Sequence, residues 1–155
     1  VTGAYEASIV KAWDQMLSWL EKHGLHSPIG RGYGLMRDCP KIIAPEKCRY
    51  DACVDLNPFF EERAIRELGT QTLPGGSYMR IRNIGSYDNL RGKLPGLYTD
   101  FEAPAGLRLD ERRPLVTIYL DDPRRMSDDD LRADICLPIS ARANRNEDSA
   151  SRDAA

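Results

Sequence analysis

The sequence predicts an α+β fold in which two copies of one strand–helix–strand–strand module close on each other about a pseudo-twofold axis. Three observations predict it. The chain matches itself at a nearly constant offset, each copy carries a glycine and a tyrosine just ahead of a helical stretch, and each copy ends in two short runs of β character.

The offset is 82 residues at first. Gly3-Ala4-Tyr5-Glu6 then falls on Gly85-Ser86-Tyr87-Asp88, Trp19 on Phe101, and Gly24-Leu25 on Gly106-Leu107. After one slip it becomes 83, and Pro40, Arg49, Asp51 and Cys53 meet Pro123, Arg132, Asp134 and Cys136. Two copies are too few for a solenoid, so the physical reading is a closed pair.

In the first copy, Ile9, Trp13, Met16, Leu17 and Leu20 form the apolar stripe of an amphipathic helix from Tyr5 to His23. Lys22 and His23 suit the negative end of its dipole, and Gly24 stops it. Trp13 and Met16 read as core, with a ligand-facing role as the alternative. Gly32–Met36 and Arg49–Val54 follow as an antiparallel pair joined through Asp38-Cys39-Pro40.

In the second copy, Tyr78–Arg82 alternates strictly after the Pro74-Gly75-Gly76 turn and reads as a strand with one solvated face. A helix begins near Tyr87 but meets Gly92, Pro95 and Gly96, so a kink or break is expected at Lys93-Leu94. Leu115–Leu120 and Leu131–Pro138 form the closing pair. Only Val1 and Thr2 precede Gly3, whereas a strand at 77–83 precedes Gly85. By its own symmetry the chain is expected to lack most of its first strand, and to be a piece of something longer.

These readings place one domain at 1–139, with module one at 1–57, a linker at 58–76 that includes a short helix at Glu61–Leu68, and module two at 77–139. The tail at 140–155 is polar, without period, and expected to be disordered.

Composition narrows the function. With 41% hydrophobic and 30% charged residues over 155 positions, the chain is globular. No apolar run reaches the roughly 20 residues a membrane helix needs, and no leader opens the chain, so a cytoplasmic protein without a membrane partner is expected. A net charge of −2 and basic pairs (Arg112-Arg113, Arg124-Arg125) set among carboxylates argue against direct contact with DNA. Cys39, Cys48, Cys53 and Cys136 form no CxxC pair and read as free thiols rather than a metal site. His23 and His26 flank a glycine at a helix end. No nucleophile–base constellation and no cofactor motif stands out.

Six ordered blocks resemble the signature of the GyrI-like ligand-binding domains. They are Gly3-Ala4-Tyr5, Asp38-Cys39-Pro40, Cys48–Cys53, Leu73–Tyr78, Ile118–Pro123 and Leu131–Pro138. That family includes effector-binding domains of AraC-type transcription regulators, the related domain of the Rob protein, multidrug-sensing regulators and stand-alone gyrase inhibitors. The resemblance implies a curved antiparallel sheet, two helices across one face and a ligand groove between them.

It also implies a glutamate at the groove floor that pairs with cationic ligands, and here that position is Thr117. Thr117 and Tyr119 share a strand face by the two-residue period, and Trp13, Tyr33, Met36, Tyr78 and Tyr98 are candidates for the groove walls. The expectation is an effector-sensing domain for a small hydrophobic or aromatic ligand. DNA would be reached only through a separate helix-turn-helix domain, and a homodimer is open. A gyrase-inhibitor-like interaction module and a hydrolase of reactive cyclopropane-bearing compounds are the alternatives.

Overall fold

The computed structural model describes residues 1–25, 31–55 and 66–142. Its elements are α1 (Tyr5–Lys22), β1 (Gly32–Met36), β2 (Tyr50–Val54), β3 (Tyr78–Ile84), α2 (Tyr87–Thr99), β4 (Leu107–Leu109), β5 (Leu115–Tyr119) and β6 (Arg132–Ala141). The sheet is antiparallel and six-stranded, in the order β2-β1-β5-β6-β3, with β4 paired to the far end of β6.

The central pairing joins the two copies. β1 runs against β5 with Gly34 opposite Thr117, and these two positions are equivalent under the 83-residue offset. The flanking pairs repeat in register, with Met36 opposite Tyr50 in one copy and Tyr119 opposite Ala133 in the other. This is consistent with a pseudo-twofold axis passing between Gly34 and Thr117.

A repeated polar clasp fixes each connecting turn. The Tyr5 hydroxyl donates to the Asp38 carbonyl at 2.7 Å and accepts from the Asp38 N–H at 3.1 Å. The Asp38 carboxylate accepts from the Arg49 backbone N–H at 2.8 Å and from its guanidinium at 2.9 and 2.7 Å. The second copy repeats this. Tyr87 donates to the Arg132 carbonyl at 2.8 Å, and the Asp121 carboxylate takes the Arg132 N–H at 2.8 Å and its guanidinium at 2.9 and 2.8 Å. Gly3 and Gly85 enter both helices at φ of 144° and 121°, backbone angles that side-chain-bearing residues avoid.

Arg49 and Arg132 therefore hold their turns, as their repetition suggests, but neither pairs with the aspartate two residues on. Asp51 meets Arg37 at 2.6 Å, and Asp134 meets Arg82 and, at 3.4 Å, Arg80.

Both helices cover the same sheet face. Tyr5, Ile9 and Ala12 of α1 and Leu90, Leu94 and Tyr98 of α2 join Met36, Tyr50, Leu115, Ala133, Ile135 and Leu137 in one core. Each fully buried large apolar side chain stabilises the fold by about 1.5–3 kcal/mol.

That packing corrects one expectation. α2 does not break at Lys93-Leu94 but runs from Tyr87 to Thr99 with Pro95 inside it. The proline costs about 3 kcal/mol, and burial of Leu94 and Tyr98 on either side of it, at 0% and 1% exposure, offsets that loss.

β6 also differs from expectation, running through Ser140 and Ala141 because β4 pairs with Ile139–Ala141. His26, residues 61–65 of the expected linker helix and the tail beyond Arg142 lie outside the described residues, while 66–68 are helical.

Asp38 and Asp121 are held below the usual carboxylate range, chiefly by the hydrogen bonds from Arg49 and Arg132. A lowered folded-state pKa stabilises at neutral pH, and that stability is lost as pH falls below the unfolded value near 4. Asp121→Asn is therefore expected to lower stability at pH 7 and flatten its decline between about pH 4 and 2, read by denaturant titration across pH. An unchanged acid limb would remove the clasp from the account. Tyr5→Phe and Tyr87→Phe, each leaving a turn N–H without its acceptor, are expected to cost about 1–3 kcal/mol apiece. A tenfold disparity between their effects on the unfolding constant would show that the two clasps are not equivalent.

Candidate ligand site at the helix join

Thr117 lies on the helix-covered face of β5, at 1% exposure, and its hydroxyl has no hydrogen-bond partner within the protein. Its cross-strand neighbours are Gly34 on β1 and Ile135 on β6. Tyr119, two residues along the same face, meets two rings edge-on: Trp13 at 5.2 Å between centroids and Tyr87 at 4.9 Å. Edge-to-face contact brings the positive rim of one ring to the negative face of another, and such pairs contribute about 0.5–1.5 kcal/mol each.

Tyr50 completes the cluster from β2. Its hydroxyl accepts from the Trp13 indole N–H at 3.1 Å. It also occupies the space above Gly34, where any Cβ would overlap it. Trp13 lies across Gly32, whose added Cβ would come within 2.8 Å of the indole. Both glycines are thus required by the aromatic layer above them.

The cluster is electrically neutral. Burial pushes the phenols of Tyr50, Tyr87 and Tyr119 above their ordinary range, so they remain protonated donors at neutral pH. Thr117 adds a hydroxyl and no charge. The arrangement can stack a flat ring and give or accept a hydrogen bond, but it supplies no countercharge from these residues.

Of the residues singled out from sequence, Trp13, Thr117 and Tyr119 come together here. Met36 shares their face but is buried in the core beside it, and Tyr98 is likewise a core residue of α2, its hydroxyl without a partner. Tyr33 is set on the opposite face, since it pairs with Cys53 and Ile118, and it lines a separate cleft along β2. Tyr78, on the edge strand β3, donates to the Pro74 carbonyl at 2.9 Å and stacks under Arg113 at 4.8 Å.

Tyr50 and Tyr87 were missed. Their signals were present: Tyr50 alternates in phase with Ala52 and Val54, and Tyr87 is the second copy of Tyr5. No group of three or more His, Cys, Asp or Glu side chains able to hold a metal occurs among the described residues.

An antiparallel sheet with two helices on one face and an aromatic, uncharged join defines a small-molecule-binding α+β domain. The chain belongs to the GyrI-like small molecule binding domain family, whose model matches residues 1–140. It is 28% identical over 107 residues, covering 68% of this chain and 67% of the other, to a DNA gyrase inhibitor of Serratia proteamaculans (strain 568). A crystal structure of an uncharacterized conserved protein from Listeria innocua shares the fold, with a TM-score of 0.53 at 15% identity over 90% of this chain and 84% of that one. A hydrolase from Listeria innocua aligns over the same shares with a TM-score of 0.43 and 14% identity.

Gly34→Ala is expected to drive the Tyr50 ring from its seat and loosen Trp13. The expected readings are a changed near-UV circular dichroism signal and a stability loss of about 1–3 kcal/mol. An unaltered aromatic signal would mean that Tyr50 does not depend on the bare glycine.

Proposed function

We propose that this domain senses a small neutral aromatic ligand, which enters the join between α1 and α2 and hydrogen-bonds to Thr117, and that it serves an AraC-type transcription regulator as its effector-binding part. The observation that carries the ligand reading is the Thr117 hydroxyl, buried without a partner on the strand face that also carries Tyr119 and its ring cluster with Trp13, Tyr50 and Tyr87. A buried polar group gains from any partner a ligand offers, whereas a cation there would find ring faces but no countercharge to offset its lost hydration.

Entry has a structural requirement. Trp13 must swing off Gly32 and give up its bond to the Tyr50 hydroxyl, exchanging an internal ring contact for a ligand contact. Because Trp13 belongs to α1 and Tyr87 to α2, such an exchange changes how the two helices meet. This is the movement a sensing domain would pass to an attached DNA reader.

The regulator context rests on the resemblance to effector-binding domains and on charge. With a net charge of −2 and Arg49, Arg124 and Arg132 among the arginines engaged by carboxylates, DNA contact would fall to a partner domain. A second reading, an inhibitor that binds DNA gyrase, is favoured by the Serratia relative of that name. A supercoiling assay with purified gyrase separates the two: the sensing reading expects no inhibition at a tenfold molar excess. A hydrolytic reading calls for a carboxylate among the aromatics, at the position that Thr117 occupies.

Titration with a neutral dye (Nile red) and a lipophilic cation (crystal violet) tests the ligand class. Wild type is expected to bind the neutral probe with quenching of Trp13 fluorescence and to show little affinity for the cation. Thr117→Glu is expected to raise cation affinity by about 1–3 kcal/mol. Thr117→Val, which keeps the shape, tests the hydroxyl alone. Tight cation binding by wild type would contradict the proposal.

A further inference from the structure

One charged residue of α2 stands where its counterpart in α1 is core. Under the 82-residue offset Arg91 falls on Ile9, and Ile9 packs into the core at 2% exposure. Leu90 and Leu94, on the same stretch of α2, are buried as well. The Arg91 side chain keeps 33% exposure, so it lies at the rim of the join, between core and solvent.

Arg91 is also aimed at the ring cluster. It follows Tyr87 by one helical turn, at i+4, and so shares its face of α2. Tyr87 meets the Tyr119 ring at 4.9 Å between centroids. Burial raises the Tyr119 phenol, and against that rise work its bonds with Tyr50 and Trp13 and then the Arg91 charge. The guanidinium is thus within electrostatic reach of the ring that Trp13 and Tyr87 flank.

Its donors are barely used. Nη1 donates to the Asp88 carboxylate at 3.0 Å, and the other N–H groups of Arg91 have no hydrogen-bond partner among the described residues. Asp88 is itself 80% exposed, and solvent-facing pairs of this kind hold loosely. A guanidinium offers five N–H donors in a planar fork, so most of this one is open to a ligand.

We propose that Arg91 is a specificity-determining residue of the Thr117 site, which donates to a carbonyl-type acceptor at one end of the ligand and turns lipophilic cations away. This rests on the reading that ligand enters the join. Thr117 and Tyr119 are two strand residues, about 7 Å, apart, so a frame of two fused rings spans from the hydroxyl to the guanidinium. The ligand class is then an elongated neutral aromatic compound with an acceptor at each end. A bond from a guanidinium to a carbonyl is charge-assisted and stronger than one between neutral groups. A cation at the same place would meet a like charge where little water screens it.

Three probes test this, built on one methoxynaphthalene frame and differing in the opposite substituent: acetyl, ethyl or trimethylammonium. Each is titrated into the whole chain while the Thr117 methyl and the Trp13 indole N–H are followed by NMR. The acetyl probe is expected to bind about tenfold tighter than the ethyl probe, and the ammonium probe most weakly. Arg91→Met keeps the stem but removes charge and donors. It is expected to level acetyl with ethyl and to strengthen the ammonium probe severalfold. Asp88→Asn frees the fork and is expected to widen the acetyl preference. If Arg91 served only to anchor its helix turn, both variants would break the same ion pair and move the ratio in the same direction.

Wild type alone gives a second reading: the Arg91 Nε–H resonance is expected to shift with the acetyl probe and not with the ethyl probe. Equal shifts would overturn the proposal. An acetyl-to-ethyl ratio unmoved by Arg91→Met, with the Thr117 methyl still responding, would overturn the role of Arg91 and leave the Thr117 site standing. Failure of all three probes to shift the Thr117 methyl would overturn both.

Discussion

The pairing of β1 with β5 is the contact on which the rest of the domain depends. The first module contributes only a hairpin and a helix, too little apolar surface for a core of its own. Laying Gly32–Met36 against Leu115–Tyr119 turns two hairpins into a continuous sheet and brings α1 and α2 onto one face. The pairing also imposes a local demand. Gly34 and Thr117 meet at the centre of the pairing, where the Tyr50 hydroxyl leaves no room for a Cβ on Gly34. Glycine on one strand and a small hydroxyl on the other leave the space that the Tyr50 phenol enters.

The clasps of Tyr5–Asp38–Arg49 and Tyr87–Asp121–Arg132 serve this pairing indirectly. Each ties the start of a helix to the turn between two strands, so helix and hairpin move as one body. Above the β1–β5 ladder, the two bodies also meet through rings, with Trp13 of α1 and Tyr87 of α2 both packed edge-on against Tyr119. Such an interface tolerates rearrangement better than a hydrogen-bonded one, because ring contacts are individually worth little and can be exchanged for contacts with a ligand. The domain therefore concentrates its polar specificity away from the join and leaves the join itself uncharged.

Much of the fold was legible because duplication doubles every signal. A lone Gly-x-Tyr carries little, but Gly3-Ala4-Tyr5 repeated as Gly85-Ser86-Tyr87 marks two equivalent helix entries. What escaped was set by tertiary packing. Pro95 reads as a break until the burial of Leu94 and Tyr98 is known, and β4 is three residues whose partner lies where the sequence turns polar. At the site, Thr117 followed from the position that the resemblance gives to the groove-floor glutamate and Tyr119 from sharing its strand face, yet that same parity applied to β1 sets Tyr33 on the far face. Tyr50 could not be ranked above other tyrosines without knowing that Gly34 lies beneath its hydroxyl.

The central claim is that ligand enters between the helices and reaches Thr117. Intermolecular nuclear Overhauser effects between a bound neutral aromatic compound and the Thr117 methyl group test it most directly. The account predicts cross-peaks from the ligand to the Thr117 methyl and to the Trp13 and Tyr119 ring protons, with the Trp13 indole N–H shifting as its bond to Tyr50 is lost. Cross-peaks confined to Met16, Trp19 and Tyr33 would place the ligand in the cleft along β2 and contradict it.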